Sequence, residues 1–358
     1  MKIGLINNLY KPYQKGGAER IVELLNNQLS ELGHTVFVIS TRPKSVKANG
    51  EVNTYYLPSS YSKLNQFSFI KRLVWQIINL VNIKKYKEIT KILKTEKPDL
   101  VITNNLMGLG LLTPLAIKNN QAKHIHVLHD IQLLHPSGLM YFGHEELIDS
   151  LFARIYQKIV KLLFGELIVV SPSKWLLELH QSHGLFKDSK TKVVPNPFIQ
   201  SNNITKMPNK NFIFIGQLEE HKGIDLFVKA ANRFTDYNFL VVGSGSLKIE
   251  ETINLKMLGR KTSDEVSKLL NTSLAAIIPS RCYENSPTVI YEAAAVNTPV
   301  IAADLGGIPE LIAKFGGLLF EPDNLDSLVM TIEQFLEQGV ELKEQPETKS
   351  YATKLLLL

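Results

Sequence analysis

The residues most able to do chemistry lie between positions 279 and 295, where two glutamates flank a predicted helix start. Glu284 precedes Asn285, and Glu292 follows Glu284 with seven residues between the two acids. Carboxylates placed on either side of a bound anion can accept hydrogen bonds from hydroxyl groups, one on a sugar and the other on a ribose. A purely structural helix start gives no reason for two such acids, so this pair is a candidate binding site.

The helix start itself is a candidate anion site. Ser286 is a residue type favoured at the N-cap, and Pro287 is favoured at the first helical position, so a helix is predicted to begin here. The backbone amides of Thr288 and Val289 would then point out of the helix, where they could hold a phosphate.

Two glycine-rich turns also stand after a predicted strand and before a predicted helix. The first is GGAER at 16–20, in which Gly17 allows close backbone approach to a ligand. The second begins with Gly216 and Gln217, and Lys222 stands at the mouth of the following helix, where a cation suits a diphosphate. Both turns have a structural alternative, because many α/β folds use glycine here for packing and Lys222 could be an exposed loop lysine.

A third glycine pattern, VVGSG at 241–245, does not complete a dinucleotide fingerprint. Its third glycine would fall at Lys248, so the segment is interpreted as a turn and not as an NAD site. The strand HIHVLH ends in a more informative pair, His129 and Asp130. A lone histidine is more often structural. Ligands bind at the carboxyl ends of strands in open α/β sheets, so this location and the adjacent Asp130 make a functional role for His129 about as favoured as a structural one.

Strand-like and helix-like patterns alternate along the chain, which is typical of parallel sheets wrapped by helices. A chain of 358 residues favours two domains, and the Pro195-Asn196-Pro197 segment is a natural boundary. We therefore predict an α/β protein with domains at 1–196 and 203–335 and a helical tail at 336–358. The predicted strands lie at 2–7, 35–40, 99–104, 124–129, 166–171, 192–195, 211–216, 238–243, 275–280, 299–303 and 317–320, with a further strand, INLKMLG, ending at Gly259.

Composition narrows the class of protein. Apolar residues make up 44% and charged residues 21%, which is typical of a globular protein and excludes extensive disorder. Cys282 is the only cysteine, which excludes an intramolecular disulfide and a multi-thiolate metal site and suits a reducing compartment. The sequence pattern predicts neither a signal peptide nor a membrane-spanning segment, so we expect a cytoplasmic protein.

A basic stretch between Tyr61 and Lys94 is the main surface signal. Glu88 is its only acid, and Trp75 and several aliphatic residues are interleaved with the basic ones. An apolar-rich helix with lysine flanks suits an anionic membrane surface better than nucleic acid. The alternative is a core-packed helix with a solvated lysine face. The basic residues are Lys63, Lys71, Arg72, Lys84, Lys85, Lys87, Lys91 and Lys94.

Taken in order, these segments resemble glycosyltransferase family 4, a family of retaining enzymes with the GT-B fold, and in particular its bacterial surface-glycan members. The resemblance covers most of the chain. The matching segments are GGAER at 16–20, His129-Asp130, Ser171-Pro172-Ser173 with Trp175, Pro195-Asn196-Pro197, HKG at 221–223, Glu284 with Glu292, and GGIPE at 306–310.

The resemblance implies two Rossmann-like parallel-sheet domains that face each other across a cleft, with the acceptor on the N-terminal side and the donor on the C-terminal side. It implies a hexosyltransferase that uses a UDP- or GDP-linked sugar, a glycan or lipid-linked acceptor and no metal or other cofactor. In this interpretation the catalytic residues are Lys222, Glu284 and His129. Lys222 and the helix start bind the diphosphate, Glu292 the ribose and Glu284 the transferred sugar. The other residues on the donor side are Gly17, Gly216, Gln217, Leu258, Arg260, Asn285, Ser286, Pro287, Thr288 and Val289, of which Leu258 and Arg260 hold the nucleobase.

One departure from the family pattern keeps alternatives open. The family usually has arginine where this chain has Gln217, so a second cation on the diphosphate is missing. Lys222 and the helix start suffice, or Arg281 or Arg260 compensates, or turnover is slow. The rival functions are a sugar-nucleotide epimerase of the same fold, a nucleotide-sugar-binding pseudoenzyme and, resting only on the basic stretch, a nucleic-acid binder.

Overall fold

All pairings between the named strands of the structure, a computed structural model, are parallel, as the alternating pattern predicts. These strands form two separate sheets, one of seven strands and one of six. The α/β prediction is therefore confirmed. The structure describes residues 1–14, 16–46, 51–198, 209–346 and 351–358.

The first unit contains Met1–Gly138, Leu147–Pro197 and the C-terminal residues 351–358. Its sheet has the order β3-β2-β1-β4-β5-β6-β7. The strands are β1 Lys2–Ile6, β2 Thr35–Pro43, β3 Thr54–Ser59, β4 Leu100–Thr103, β5 Lys123–Val127, β6 Ile168–Ser171 and β7 Lys190–Val193. The helices are α1 Gly17–Glu31, α2 Phe69–Leu80, α3 Ile83–Glu96, α4 Thr113–Asn119, α5 Leu151–Phe164, α6 Lys174–Ser182 and, after those of the second unit, α12 Tyr351–Leu356.

The second unit contains Leu139–Glu146 and the described residues between 198 and 349. Its sheet has the order β10-β9-β8-β11-β12-β13. The strands are β8 Asn211–Ile215, β9 Asn238–Val242, β10 Leu255–Gly259, β11 Ala275–Ile278, β12 Val300–Ala303 and β13 Leu318–Phe320. The helices are α7 Ile224–Ala231, α8 Ser263–Asn271, α9 Thr288–Ala295, α10 Ile308–Phe315 and α11 Leu325–Gln338.

The two units differ from the predicted continuous ranges in two places. Leu139–Glu146 belongs to the second unit although it lies within the first predicted domain. The predicted tail is also divided, because α12 packs on α1 of the first unit: Tyr351 and Leu355 are buried in the core that contains Ile21 and Leu25. The amide of Ala352 donates to the Gln28 side chain at 3.1 Å. Apolar burial and this hydrogen bond hold the C-terminal helix on the first unit.

Each sheet reverses its strand order next to its first strand in the chain. In the first unit β1 lies between β2 and β4, and in the second β8 lies between β9 and β11. Loops that leave the carboxyl ends of β1 and β4, or of β8 and β11, therefore diverge to opposite sides of their sheet. Such a switch point is where open α/β sheets bind ligands. The topology thus favours a site after β8 and β11 and another after β1 and β4.

The basic stretch at 61–94 forms two helices with different environments. α3 buries Ile89 and Leu93, and it also buries Lys85, which is 5% exposed and donates to Glu88 at 2.7 Å. Burial lowers the pKa of Lys85 despite this pairing. The core-packed interpretation is therefore correct for α3, whereas α2 is largely exposed. Among the described residues, no helix is long and apolar enough to cross a bilayer.

Candidate functional site

The turn that carries Lys222 lies directly against the end of β11. Gly223 has φ +65°, in the left-handed region, and a Cβ there would stand 1.7 Å from the Pro279 carbonyl oxygen. Only glycine satisfies both the conformation and this approach. The amide of Arg281 donates to the His221 carbonyl at 2.9 Å and fixes the same contact. The turn after β8 and the loop after β11 are thereby joined at the switch point.

Lys222 and Glu284 form an ion pair at this point. Lys222 Nζ donates to Glu284 Oε1 at 2.5 Å, and Ser280 Oγ donates to the same oxygen at 2.8 Å. The two side chains are 26% and 15% exposed. Burial alone would lower the pKa of Lys222, but the charge of Glu284, the neighbouring Cys282 and the hydrogen bond to Glu284 together outweigh burial and raise it. Burial opposes ionisation of Glu284, yet Lys222 and these hydrogen bonds lower the pKa of its carboxyl.

The predicted helix start at 286–287 is shifted by one residue. α9 begins at Thr288 with Pro287 at the N-cap, and no side chain caps it. The prediction that Ser286 is the N-cap is therefore wrong. Its hydroxyl is buried and shares a hydrogen bond of 2.8 Å with the hydroxyl of Tyr291. The first amides of α9, those of Thr288 and Val289, still have no acceptor within the helix, as helix geometry dictates.

Glu284 and α9 are fixed by the glycine loop after β12. The amide of Gly307 donates to the Glu284 carbonyl at 2.8 Å, and a Cβ on Gly306 would stand 2.3 Å from that oxygen. Asn285 is buried beside it. Glu292 lies four residues after Thr288, so both project from the same side of α9, and Glu292 is half-buried. Glu284 therefore lies in the loop just before α9, and Glu292 lies about one turn inside it.

The loops after β8, β9 and β10 stack on one another through glycine. The amide of Gly216 donates to the Val242 carbonyl at 3.0 Å, and that of Gly243 donates to the Gly259 carbonyl at 2.9 Å. A Cβ on Gly243 would stand 1.8 Å from the Gly216 oxygen, which accounts for the glycines of VVGSG by backbone packing. Gln217 is exposed at the end of this stack.

The nucleobase candidates lie at the end of β10. Leu258 is partly buried and packs against the core of the second unit, while Arg260 is exposed just beyond the strand. Gly259 between them has φ +69° and marks a register shift against β9. The backbone here therefore turns away from the sheet at its carboxyl edge.

Arg281 is committed to a structural role. Its Nη2 is 2.7 Å from Asp225 Oδ2 on α7, and its Nε is 2.5 Å from Asp323 Oδ1 just before α11. These contacts tie the first turn of α7 to the loop before α11. The two carboxylates already balance its charge, so the alternative in which Arg281 replaces the missing family arginine is not favoured.

Leu139–Glu146 is a part of this region that the sequence did not indicate. The amide of Phe142 donates to the Arg281 carbonyl and that of Tyr283 to the Met140 carbonyl, each at 2.9 Å. The Tyr283 hydroxyl donates to Glu145 Oε1 at 2.8 Å. Burial, followed by this hydrogen bond, raises the pKa of Tyr283 to about 12. The segment therefore braces the strand-like run that leads into Glu284.

His129 lies at the carboxyl edge of the first sheet, beside the end of β4. Its Nε2 is 2.8 Å from Asn104 Oδ1. The Asn104 amide nitrogen faces the Ile6 carbonyl at 3.4 Å, so Oδ1 accepts and Nε2 carries the proton. Burial lowers the pKa of His129 to about 4, which keeps the ring neutral at pH 7. Burial also raises the pKa of the adjacent Asp130 to about 6.

The glycine turn GGAER begins α1 at Gly17. Gly16 is the N-cap, and its amide donates to Glu19 Oε2 at 2.8 Å. Glu19 is buried, with 6% of the residue exposed. One amide of this helix start is therefore taken by the chain itself, which the sequence analysis did not anticipate. Gly17 is exposed beside it.

Comparison with known protein families shows which family this chain belongs to. A family model described as Glycosyltransferase Family 4 matches residues 15–198, and one described as Glycosyl transferases group 1 matches residues 196–354.

The chain belongs to glycosyltransferase family 4.

Individual relatives agree with this assignment. An uncharacterized 42.6 kDa protein in the cps region of Klebsiella pneumoniae is 30% identical over 354 residues, which cover 93% of this chain and 94% of that protein. Sucrose-phosphate synthase from Thermosynechococcus elongatus superposes with a TM-score of 0.68 at 16% identity, covering 94% and 90% of the two chains. Anabaena Alr3699/HepE in complex with UDP and glucose superposes with a TM-score of 0.66 at 19% identity and the same coverage.

This family 4 glycosyltransferase has the α/β GT-B fold, with one Rossmann-like sheet in each unit. The structure brings Lys222, Glu284 and the start of α9 together in the second unit. His129 and Gly17 lie in the first unit. His129 lies just after β5, and Gly17 begins α1 after the loop that follows β1. Sequence reasoning missed Ser280 and Asn104, because short polar residues in loops carry no signal of their own without a partner.

Proposed function

We propose that this family 4 glycosyltransferase transfers a sugar from a nucleotide-sugar donor to a glycan or lipid-linked glycan, with retention at the anomeric carbon, in polysaccharide biosynthesis. The observation that carries the proposal is the charged Lys222–Glu284 pair at the switch point of the second sheet, beside the start of α9. A lysine held in a fixed position and the free amides at a helix N-terminus are both features that bind a diphosphate.

In this proposal each part of the donor contacts a different group of residues in the second unit. The diphosphate lies against Lys222 and the amides of Thr288 and Val289. Glu292 accepts hydrogen bonds from the ribose hydroxyls, and the backbone from Leu258 to Arg260 holds the base. A UDP- or GDP-linked donor is proposed, supported by the UDP and glucose in the Anabaena structure of the same fold.

The chemistry begins with cleavage of the bond between the anomeric carbon and the diphosphate oxygen. The bonding electrons leave with the nucleoside diphosphate, which gains negative charge as the sugar becomes oxocarbenium-like. Lys222 and the start of α9 stabilise that charge, so the proposal requires no metal cofactor. Glu284 holds Lys222 ionised and contacts the sugar hydroxyls. The acceptor hydroxyl attacks on the face from which the diphosphate departs, and its proton passes to the leaving group.

His129 is proposed to orient the donor sugar or the acceptor and not to act as a general base. Its Nε2 proton is directed at Asn104, and a pKa of about 4 makes the ring a weak base at neutral pH. A neutral imidazole fixed in this way can still position a hydroxyl group.

A thermal-shift screen of the full chain against UDP-, GDP-, ADP- and dTDP-sugars tests the proposal. At a ligand concentration of 100 times Kd, binding adds about 2.7 kcal/mol of stability. That corresponds to a rise in Tm of roughly 5–10 °C for domains of this size. The donor selected should also yield free nucleoside diphosphate when an acceptor extract is added. If none of the four nucleotide-sugars raised the Tm, the chain would not be a nucleotide-sugar enzyme.

Replacing Glu292 with glutamine is expected to weaken binding of the nucleoside diphosphate. A charge-assisted hydrogen bond to the ribose becomes a neutral one, at a cost of about 1–2 kcal/mol, or roughly 5- to 30-fold in Kd. Isothermal titration calorimetry of the wild type and the variant measures the difference. Glu333→Gln on α11 is the matched control, and equal affinities for wild type and Glu292→Gln would remove Glu292 from the site.

Gln217→Arg is expected to preserve or raise kcat/KM by up to about tenfold, because it restores a second cation near the donor diphosphate. The side chain at 217 is exposed, so an arginine can be accommodated without displacing the core. Initial rates with the selected donor measure the effect. A severe loss of rate with an unchanged melting curve would show that the site is built around a neutral group. A rate near zero in the wild type, rescued by this change, would indicate a donor-binding protein that has lost turnover.

A further inference from the structure

The apolar side of α2 faces solvent. Its large apolar residues are spaced by three and four positions, so they form one stripe along the helix. Their exposed fractions run from 37% to 72%. We call these residues the α2 stripe: Ile70, Leu73, Val74, Ile77, Ile78 and Val81.

The opposite side of α2 holds the helix on the first unit through an aromatic ring and an amide. The Trp75 ring lies 6.2 Å from that of Tyr61. Asn79 is buried, and its Oδ1 accepts from the Gly108 amide at 2.7 Å while its carbonyl accepts from Leu111 at 3.2 Å. An amphipathic helix on a globular protein normally turns its apolar side inward. α2 does the reverse, so its orientation is set by the Trp75 ring contact and the Asn79 hydrogen bonds, and its apolar side stays exposed.

α5 presents a second exposed apolar side in the same unit. Leu151, Ile155 and Leu162 follow helical spacing and are 77%, 52% and 82% exposed. The helix is anchored by polar groups on its other side: Tyr156 donates to the Gln132 carbonyl at 2.9 Å, and Gln157 donates to the Ile148 carbonyl at 2.7 Å. α4 packs against both α3 and α5, which places α5 on the side of the sheet that α3 covers.

The charges on α2 and α5 indicate which kind of surface they could contact. Neither α2 nor α5 contains an aspartate or a glutamate. Pairing either helix surface with the same surface of a second copy of this chain would bring only positive charges together, which disfavours a homodimer through either helix. Exposed aliphatic side chains beside lysine and arginine match a bilayer with anionic headgroups, where the apolar groups enter the acyl boundary and the cations meet phosphate. The basic residues are Lys71 and Arg72 on α2 and Arg154, Lys158 and Lys161 on α5, all exposed.

We propose that the α2 stripe, together with the exposed side of α5, binds the surface of an anionic lipid bilayer. The attachment is peripheral and reversible. It needs both apolar insertion and the basic residues, and Lys85 of α3 takes no part because it is buried against Glu88.

Co-sedimentation of the full chain with vesicles tests the proposal. One set contains phosphatidylcholine alone and the other equal parts of phosphatidylcholine and phosphatidylglycerol, each at low and high salt. At low salt we expect at least tenfold tighter binding to the anionic vesicles, with a severalfold loss at high salt. Ile77→Ser with Ile78→Ser, and separately Lys71→Glu with Arg72→Glu, should each lower the affinity about tenfold. Leu151→Ser with Ile155→Ser tests α5 in the same way.

Matched controls come from the second unit. Ile253→Ser with Met330→Ser removes two apolar residues that are even more exposed than Ile77 and Ile78, and Lys256→Glu with Lys268→Glu makes the same change in net charge. Both control variants should bind like the wild type. Equal binding to the two kinds of vesicle, or wild-type binding by the α2 variants, would overturn the proposal. So would self-association of the wild type without vesicle binding, if the α2 variants abolish it.

Discussion

Lys222→Ala is expected to lower kcat by about 10²–10³, the cost typical of removing one group that stabilises developing negative charge. The lysine is held ionised by Glu284 at 2.5 Å, so its charge is present before the donor arrives and needs no reorganisation during the reaction. Because the leaving diphosphate becomes more negative in the transition state than in the bound donor, the loss should appear mainly in kcat and less in KM. Initial rates across donor concentrations separate the two.

The matched control is Lys229→Ala. Lys229 lies on α7 in the same unit, is exposed and pairs with Asp225, which keeps Arg281 as a partner when the lysine is removed. The control should retain the wild-type rate. Far-ultraviolet circular dichroism and melting curves establish that both variants fold. A Lys222→Ala enzyme with normal kcat and a raised KM would show that Lys222 only holds the donor in its ground state.

The sheets could be predicted from the sequence because most of their strands are short apolar runs that are largely buried. β4 and β11, for example, are buried at every position, and such runs are bounded by polar turns that make them visible. β3 was missed. Among the described strands it pairs only with β2, at the edge of the sheet, and it contains Pro58 and is only partly buried, so its pattern is weak.

The site could be predicted only in pieces. Lys222 and Glu284 were identified separately, and their ion pair depends on a contact between loops 62 residues apart that Gly223 makes possible. Ser286 was misassigned because its residue type suits an N-cap, while the buried Tyr291 hydroxyl competes for it in the folded chain. The position of Leu139–Glu146 in the second unit rests on backbone bonds to Arg281 and Tyr283, which leave no pattern in the side chains.

The low pKa values of the histidines in the first unit could not be predicted from the sequence either. The sequence HIHVLH does not show that its histidine rings are shielded from solvent in the fold. Burial lowers the pKa of His124 to about 3 and the pKa of His180 to about 4. Burial also lowers the pKa of His126, followed by the charges of neighbouring histidines. Thr103 Oγ1 lies 2.7 Å from His124 Nε2 and 2.8 Å from His126 Nδ1, so the neutral rings share one hydroxyl.

We therefore expect acidification from pH 7 to pH 4.5 to destabilise the first unit by on the order of 5 kcal/mol. An unfolded histidine titrates near 6.5, so below that pH the unfolded chain binds protons that the folded chain excludes. The stability that these rings contribute is complete above pH 6.5 and is lost as the pH falls toward about 4. Each of His124, His129 and His180 accounts for about 2 kcal/mol at pH 4.5. Asp130 acts in the opposite direction, because its raised pKa of about 6 favours the folded state on acidification, and it offsets about one histidine.

Urea unfolding followed by tryptophan fluorescence measures this effect in the first unit, because Trp75 and Trp175 are the only tryptophans and both belong to it. His180→Leu removes one titrating ring from a fully buried position on α6, so its loss of stability between pH 7 and pH 4.5 should be smaller by about 2 kcal/mol. His144→Gln, at an exposed position in the second unit, should leave the pH dependence unchanged. A first unit whose stability is the same at both pH values would mean that these histidines are protonated in the folded chain. The low pKa assigned to His129, and with it the argument that His129 does not act as a base, would then fail.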